Sequence, residues 1–193
     1  VSHYGRSKLR GEGAVRGSPL ASRTVIVRPP VVYGPRDTDV LQVFRAAAKG
    51  LIFTIGRQES YFSFVYVSDL VDGLLRAAAA ESAGGKTYFL ASLLPVTWAE
   101  FGRIAASAAG AQASRIPVPV WAAQAAGAVA ERLARLTGKP GILSRDKIRE
   151  ARHRFWTCSP ALAMHDLGFR ARTSLQDGIA ATYAWYKDAG WLN

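Results

Sequence analysis

A phenol and an ammonium group stand four residues apart near the start of the sequence, at Tyr4 and Lys8. On a helix this spacing places both side chains on one face, with about 5–6 Å between their Cβ atoms. A free tyrosine titrates at about pH 10. A neighbouring lysine cation favours the phenolate, which brings proton transfer closer to neutral pH. The same ammonium can donate hydrogen bonds to ribose hydroxyls. The spacing alone is common, since short motifs occur often by chance.

The elements around this pair predict an α/β protein, because short strands alternate with helices. The β-branched run Thr24–Val27 predicts a strand buried on both faces, and 24–28 and 87–91 are the segments we expect in a parallel sheet. Ser68 is the predicted N-cap of one helix, and Thr97 opens another with a capping box. Further strands are predicted at 51–55 and 62–67, a proline-rich strand near 116, and helices at 2–16, 39–49, 68–80, 97–109, 120–136, 145–152, 159–166 and 175–189.

Composition restricts the function classes. The chain has 193 residues, 49% of them hydrophobic and 20% charged, which is typical of a globular protein. The single cysteine, Cys158, favours a reducing, cytoplasmic compartment. The net charge of +11 is spread along the chain, with one local cluster in 145–154 and no nucleic-acid-binding motif. No segment predicts stable membrane insertion or a targeting signal, and the three histidines have no spacing that predicts a metal site.

Three segments together resemble one enzyme family. Tyr4–Glu12 (YGRSKLRGE) resembles the active-site helix of the extended short-chain dehydrogenases/reductases, the NAD-dependent epimerase/dehydratase family. Val25–Pro35 (VIVRPPVVYGP) is similar to the next strand and its Arg-Pro…Tyr-Gly-Pro loop, and Phe64–Leu70 (FVYVSDL) to a later strand-to-helix signature. The closing segment 167–186 is also similar to the last helix of the family. The order matches, and the nearest branch resembles hydroxysteroid dehydrogenases and dihydroflavonol reductases.

The resemblance implies roles for the matched residues. Tyr4 would be the acid/base for the substrate oxygen during hydride transfer, and Lys8 would bind the nicotinamide ribose. Pro30, Val31 and Val32 would lie beside the nicotinamide carboxamide. The cofactor would be NAD or NADP. The residues that select between the two would precede this sequence. The glycine-rich phosphate turn and the catalytic serine or threonine also precede it, so we expect the 193-residue chain alone to be inactive.

Two positions depart from the sugar-nucleotide members of the family. Many of those have asparagine where Val31 stands and a diphosphate-binding arginine where Phe62 stands. Loss of these polar groups favours a substrate with a hydrocarbon body. The substrate-binding residues predicted here are therefore Val31, Tyr33 at the cleft floor, Phe62, and Arg57 for an anionic group. Core packing of Val31 and Phe62 is the competing interpretation.

Other matched polar residues have structural interpretations. Glu12 and Arg28 are interpreted as a structural partner and as an ion-pair residue at a strand end, respectively. Asp69 is interpreted as a carboxylate at a helix N-terminus that positions the strand before it.

The family fold implies the C-terminal part of a Rossmann-type parallel-sheet fold with a smaller, mostly helical substrate-binding lobe. Residues 1–37 and 68–92 would be the remnant of the dinucleotide-binding domain, whose N-terminal half would be absent, and 38–67 and 93–193 the lobe. The leading hypothesis is an NAD(P)-dependent oxidoreductase acting on a carbonyl or secondary alcohol of a small, partly apolar molecule. A nucleotide-sugar epimerase or dehydratase and a non-catalytic dinucleotide-binding sensor or scaffold are the alternatives. The oligomeric state, including a homodimer through the tyrosine-bearing helix, stays open.

Overall fold

The computed structural model describes residues 3–137 and 153–192. Its helices are α1 (His3–Arg16), α2 (Leu41–Ala48), α3 (Val67–Ala79), α4 (Trp98–Ala108), α5 (Val120–Thr137), α6 (Ala161–Leu167) and α7 (Leu175–Asp188), with 3-10 turns at Ala21–Arg23 and Glu81–Ala83. Its strands are β1 (Ile26–Arg28), β2 (Val31–Tyr33), β3 (Leu51–Ile55), β4 (Tyr61–Phe62), β5 (Phe64–Tyr66), β6 (Thr87–Phe89), β7 (Val96–Thr97), β8 (Ser114–Val118) and β9 (Phe155–Trp156).

Parallel pairing dominates the strands, as the alternation of strands and helices predicts. β1 pairs with β6 in parallel, which confirms the two expected members of one sheet. β2 with β5 and β3 with β8 are also parallel pairs, and the sequence did not predict these partnerships. A three-stranded sheet orders β7–β4–β9, with β7 antiparallel and β9 parallel to β4. The α/β class is confirmed.

Two clusters of buried side chains hold these layers together. The larger one is aromatic: Phe44, Phe64, Phe101 and Tyr186 lie within it, packed between α2, α4 and α7. Phe64 and Phe101 stack at 4.7 Å between ring centroids and 11° between planes. The second cluster packs α6 against both α3 and β6 through aliphatic and aromatic side chains. Its members are Val65, Ala77, Ala83, Tyr88, Leu90, Ala163, Leu167 and Phe169.

Some local predictions need correction. Ser68 is not the N-cap, because α3 begins at Val67 with Tyr66 at the cap position. The strand predicted over 62–67 is interrupted at Ser63, which separates β4 from β5. β1 is half-buried rather than buried on both faces. Thr97 is confirmed as the N-cap of α4, since its hydroxyl accepts the Glu100 N–H at 3.1 Å. The helix predicted at 145–152 lies outside the described residues.

Candidate functional site

Tyr4 and Lys8 lie on one face of α1, as their spacing predicts. The Lys8 Nζ atom is 5.3 Å from the centroid of the Tyr4 ring, which is within the range of a cation–π contact. The Tyr4 side chain is 70% exposed and Lys8 is exposed as well. Both polar ends are therefore accessible to a molecule that docks on this face of α1.

An ion pair fixes α1 to the sheet. Glu12, two helical turns past Tyr4, accepts hydrogen bonds from Nε of Arg28 at 2.8 Å and from its Nη2 at 2.5 Å. The hydrogen bonds from Arg28 lower the pKa of the Glu12 carboxyl, and Glu12 in turn raises the pKa of Arg28. This geometry confirms the structural interpretation of both residues. Arg28 is the last residue of β1, so the pair sets the distance between the helix and the turn that follows.

The Pro29–Pro30 turn leads directly into β2. The Val31 N–H donates to the Ser63 carbonyl at 3.2 Å, so the strand begins one residue after the second proline. Pro30, Val31 and Val32 are half-buried. Their contact with a nicotinamide ring stays a prediction. What the structure provides is a rigid backbone here, because proline fixes φ and the strand pairing fixes the residues after it.

The Tyr33–Pro35 segment requires glycine at its centre. Gly34 has φ of +152°, and a Cβ there would lie 2.5 Å from Cγ1 of Val67 at the start of α3. Tyr33 itself is 2% exposed, and its ring makes edge contacts with Phe64, Tyr66 and Phe101. Burial and the nearby acids raise the pKa of Tyr33. Tyr33 is therefore part of the hydrophobic core. The predicted contact between Tyr33 and substrate would require neighbouring core side chains to move.

An apolar cavity of about 450 Å³ opens beside Phe62. Phe62 packs on Trp98 with 5.2 Å between ring centroids, and Trp156 completes the aromatic wall. The other lining residues are Phe53, Thr54, Ile55, Gln58, Glu59, Ser60 and Ala99. Trp98 and Trp156 line this cavity together with the predicted substrate residue Phe62. Arg57 is exposed and is not among the lining residues, and neither are Val31 and Tyr33.

Arg115 holds the loop at the rim of this cavity. From β8 its guanidinium pairs with the carboxylate of Glu59 and donates to the carbonyls of Arg57 at 2.7 Å and Gln58 at 3.0 Å. Its Nε donates to the Thr54 hydroxyl at 3.1 Å. No sequence pattern singles out Arg115. Its partners lie 56 to 61 residues away along the chain, and only the β3–β8 pairing brings them together.

A buried hydroxyl fixes the aromatic wall. Ser63 is fully buried, and its Oγ accepts the Cys158 N–H at 3.1 Å and donates to the Cys158 carbonyl at 3.3 Å. The pairing of β4 with β9 adds stacking of Tyr61 on Phe155, 5.6 Å between centroids. Burial raises the pKa of the Cys158 thiol. These contacts position Trp156 at the cavity.

Asp69 has a role different from the predicted one. It lies in the first turn of α3, as expected, but its two carboxylate oxygens accept the backbone N–H groups of Arg172 at 3.2 Å and Thr173 at 3.0 Å. Asp69 therefore positions the segment that leads into α7, and the expected positioning of the preceding strand is not what these hydrogen bonds do.

The class of protein follows from the match to a family model. The model for the RmlD substrate binding domain matches residues 1–140. The chain belongs to this family, and the resemblance to the extended short-chain dehydrogenases/reductases is confirmed. In the described part of the chain no helix is long and apolar enough to cross a membrane, and no group of three or more His, Cys, Asp or Glu side chains there is arranged to hold a metal ion.

Two related proteins match different lengths of this chain. A ceramide reductase of Caulobacter vibrioides is 34% identical over 197 residues, which cover 100% of this chain and 59% of that protein. A decarboxylating sterol-4-alpha-carboxylate 3-dehydrogenase of Homo sapiens is 27% identical over 131 residues, 63% of this chain and 35% of that one. This chain therefore spans less than two thirds of these relatives' lengths.

A solved structure supports the fold. UDP-glucuronic acid 4-epimerase from Bacillus cereus, solved with UDP-glucuronic acid and NAD, superposes with a TM-score of 0.68 at 18% identity. The superposition covers 96% of this chain and 52% of the epimerase. At this identity the likeness is one of architecture, and it confirms the Rossmann-type fold.

Proposed function

We propose that the protein carrying this chain is an NAD(P)-dependent oxidoreductase that transfers a hydride to or from a carbonyl or secondary alcohol of a partly apolar small molecule. The observation that carries the proposal is the exposed Tyr4–Lys8 pair on one face of α1. The names of the reductase and the dehydrogenase described above also denote oxidoreductase activities.

In this mechanism Tyr4 donates its hydroxyl proton to the substrate oxygen during reduction and accepts that proton during oxidation. The ammonium of Lys8 stabilises the negative charge left on the phenolate, since an opposite charge one helical turn away favours the charged form. The Glu12–Arg28 pair ties α1, which carries both groups, to the end of β1.

The residues present fit a nicotinamide cofactor. The exposed ammonium of Lys8 is a donor available to ribose hydroxyls, and Pro30, Val31 and Val32 provide a backbone fixed by proline and by strand pairing. When bound, NAD or NADP supplies or accepts the hydride. The chain spans 59% of the ceramide reductase, and none of the residues proposed here would hold the cofactor phosphates, so we expect no turnover from the 193 residues alone.

Substitution of Tyr4 by phenylalanine tests the proposal in the full-length protein. Turnover, followed as NAD(P)H absorbance with aliphatic and aromatic ketones, should fall by about 10²–10⁴-fold, the usual contribution of a general acid. Dinucleotide binding, followed by NAD(P)H fluorescence, should persist. Ser7→Ala on the same helix is the matched control and should leave turnover unchanged.

Two results would contradict the proposal. Unchanged turnover in Tyr4→Phe would remove the acid/base role and favour a dinucleotide-binding sensor or scaffold. Tight binding of a sugar nucleotide, with no binding of apolar ketones, would favour an epimerase or dehydratase that uses the same pair.

A further inference from the structure

The cavity beside Phe62 has an unusual charge arrangement for a family that includes nucleotide-sugar enzymes. Among the described residues that line it, Glu59 is the one with a formal charge, and that charge is negative. That carboxylate gives a diphosphate no favourable contact. The cation next to it, Arg115, directs its guanidinium toward Glu59 and the loop carbonyls. The lining therefore offers no cation to an anionic ligand.

Two polar side chains of the wall, Thr54 and Glu59, are already bonded within the protein. The Thr54 hydroxyl accepts from Arg115 and donates to the Gly56 carbonyl at 3.2 Å, which occupies it on both sides. The Glu59 carboxylate is neutralised by the guanidinium. What remains for a ligand is mostly the aromatic and aliphatic surface of the wall, including Phe62, Trp98 and Trp156. Apolar surface of this kind is stabilised when hydrocarbon replaces water on it.

We infer that this cavity binds an uncharged alkyl chain of the substrate, and that Arg115 acts as a positioning residue that keeps the cavity neutral by pairing with Glu59. This inference rests on the proposed function, because it assigns the hydrocarbon part of the molecule whose oxygen Tyr4 serves. The volume of about 450 Å³ lies within the range of small-molecule sites, which is about 300–1,000 Å³.

Bromoalkanols provide a binding test that does not depend on turnover, because bromine quenches tryptophan fluorescence on contact. The full-length protein is titrated with 12-bromododecan-1-ol and 6-bromohexan-1-ol. Each buried methylene should tighten binding about fourfold, so we expect at least a 100-fold preference for the longer alcohol. Equal affinities would overturn the inference.

Tryptophan variants locate the bound chain. Trp98→Phe/Trp156→Phe should lose most of the quenching, whereas the matched pair Trp185→Phe/Trp191→Phe should keep it. Loss of quenching in the second pair and not in the first would place the alcohol elsewhere and overturn the inference.

A charge cycle tests Arg115. Arg115→Met leaves the Glu59 carboxylate without its cation at the cavity rim and should weaken 12-bromododecan-1-ol binding about tenfold. The double variant Arg115→Met/Glu59→Gln removes that charge and should restore affinity to within about threefold, as coupled neighbours do. The role of Arg115 is contradicted if the double variant unfolds at the same urea concentration as wild type and still binds 12-bromododecan-1-ol as weakly as Arg115→Met does.

If the Arg115 variants do not fold, Phe62→Arg provides a second test of the cavity. A guanidinium in the wall should weaken the alkyl probe about 100-fold, and the control Leu75→Arg, on the exposed face of α3, should not. Equal affinity of Phe62→Arg and wild type would overturn the inference.

The two proposals fail separately. If turnover of a short ketone depends on Tyr4 but the two bromoalkanols bind equally well, the alkyl site is refuted and the proposed oxidoreductase activity is retained. Alkyl binding with the expected preference, combined with full turnover in Tyr4→Phe, refutes the acid/base mechanism and leaves the alkyl site standing.

Discussion

The carboxylate of Glu12 and the guanidinium of Arg28 face each other through two hydrogen bonds, so that the helix with the candidate acid/base is tied to the end of β1. The pair is partly exposed, 20% for the Glu12 side chain and 40% for that of Arg28. Solvent therefore screens its Coulomb energy, and the two-point geometry is what distinguishes it from an ordinary surface pair.

Replacing Glu12 with glutamine should lower the free energy of unfolding by about 1 kcal/mol at pH 7. Because the folded pKa of Glu12 lies below its ordinary value, the carboxylate stabilises the fold fully above that ordinary value and loses its effect as pH falls through the lowered one. Urea unfolding at pH 7 and at pH 3 measures this. The difference between variant and wild type should shrink at the lower pH, and Glu81→Gln is the exposed control. A difference that is as large at pH 3 would contradict the argument.

Two helical glycines should respond to alanine in opposite directions. A Cβ on Gly73 would lie 2.6 Å from Cδ1 of Leu90 and 3.0 Å from the Phe169 ring, so Gly73→Ala should destabilise the protein by about 1–3 kcal/mol. At Gly13 in α1 a Cβ meets nothing within 4 Å. Gly13→Ala should therefore stabilise the protein by about 0.5–1 kcal/mol through helix propensity. Thermal unfolding of both variants checks the signs, and unchanged stability in Gly73→Ala would contradict the close packing of α3 against Leu90 and Phe169.

Asp69 and Asp72 allow the same substitution to be compared on one helix. Asp69 is 7% exposed and accepts two backbone N–H groups, so Asp69→Asn presents an amide donor to one of them and should cost about 1–3 kcal/mol. Asp72 pairs with Arg76 at 2.7 Å, and its side chain is 47% exposed. Asp72→Asn should cost less than about 0.5 kcal/mol. Equal costs in urea unfolding would show that Asp69 does not hold the segment before α7.

The N-cap of α4 supplies a further measurable contribution. The Thr97 hydroxyl accepts the Glu100 N–H, and the Ser174 hydroxyl accepts the Asp177 N–H at 3.0 Å in the same way for α7. Thr97→Ala and Ser174→Ala should each lower the free energy of unfolding by about 1 kcal/mol. Ser107→Ala, near the other end of α4, should change it by less than about 0.5 kcal/mol. Loss of stability only in Ser107→Ala would contradict the assignment of the caps.

The sequence predicted the helices well because their signals are local. Apolar spacing and capping residues act within one or two turns, so α4 was predicted to within one residue at its C-terminus from Thr97 and its periodic pattern. The Tyr4–Lys8 face followed from spacing alone. Ser68 failed as a cap because β5 leads straight into α3 with Tyr66 at the junction.

Short strands and the cavity could not be predicted in the same way. β2 and β9 have three and two residues, and their pairing depends on partners far along the chain. Phe62 was selected from sequence as a substrate residue, whereas its neighbours Trp98 and Trp156 became part of one wall only through tertiary packing. The Arg115–Glu59 pair joins residues 56 positions apart, and such a distance leaves no local pattern.

The cavity wall and the helix with the candidate acid/base share no residue, since the wall is built from 53–55, 58–60, 62, 98–99 and 156 and α1 contributes none of it. Under the proposed function, variation in the wall would therefore change which substrates are accepted without changing the proton transfer by Tyr4. Paralogues with the same Tyr-Lys helix are expected to diverge first at positions such as Phe62 and Trp156. Exchange of only these wall residues between paralogues is thus a direct route to altered selectivity at a constant rate of the chemical step.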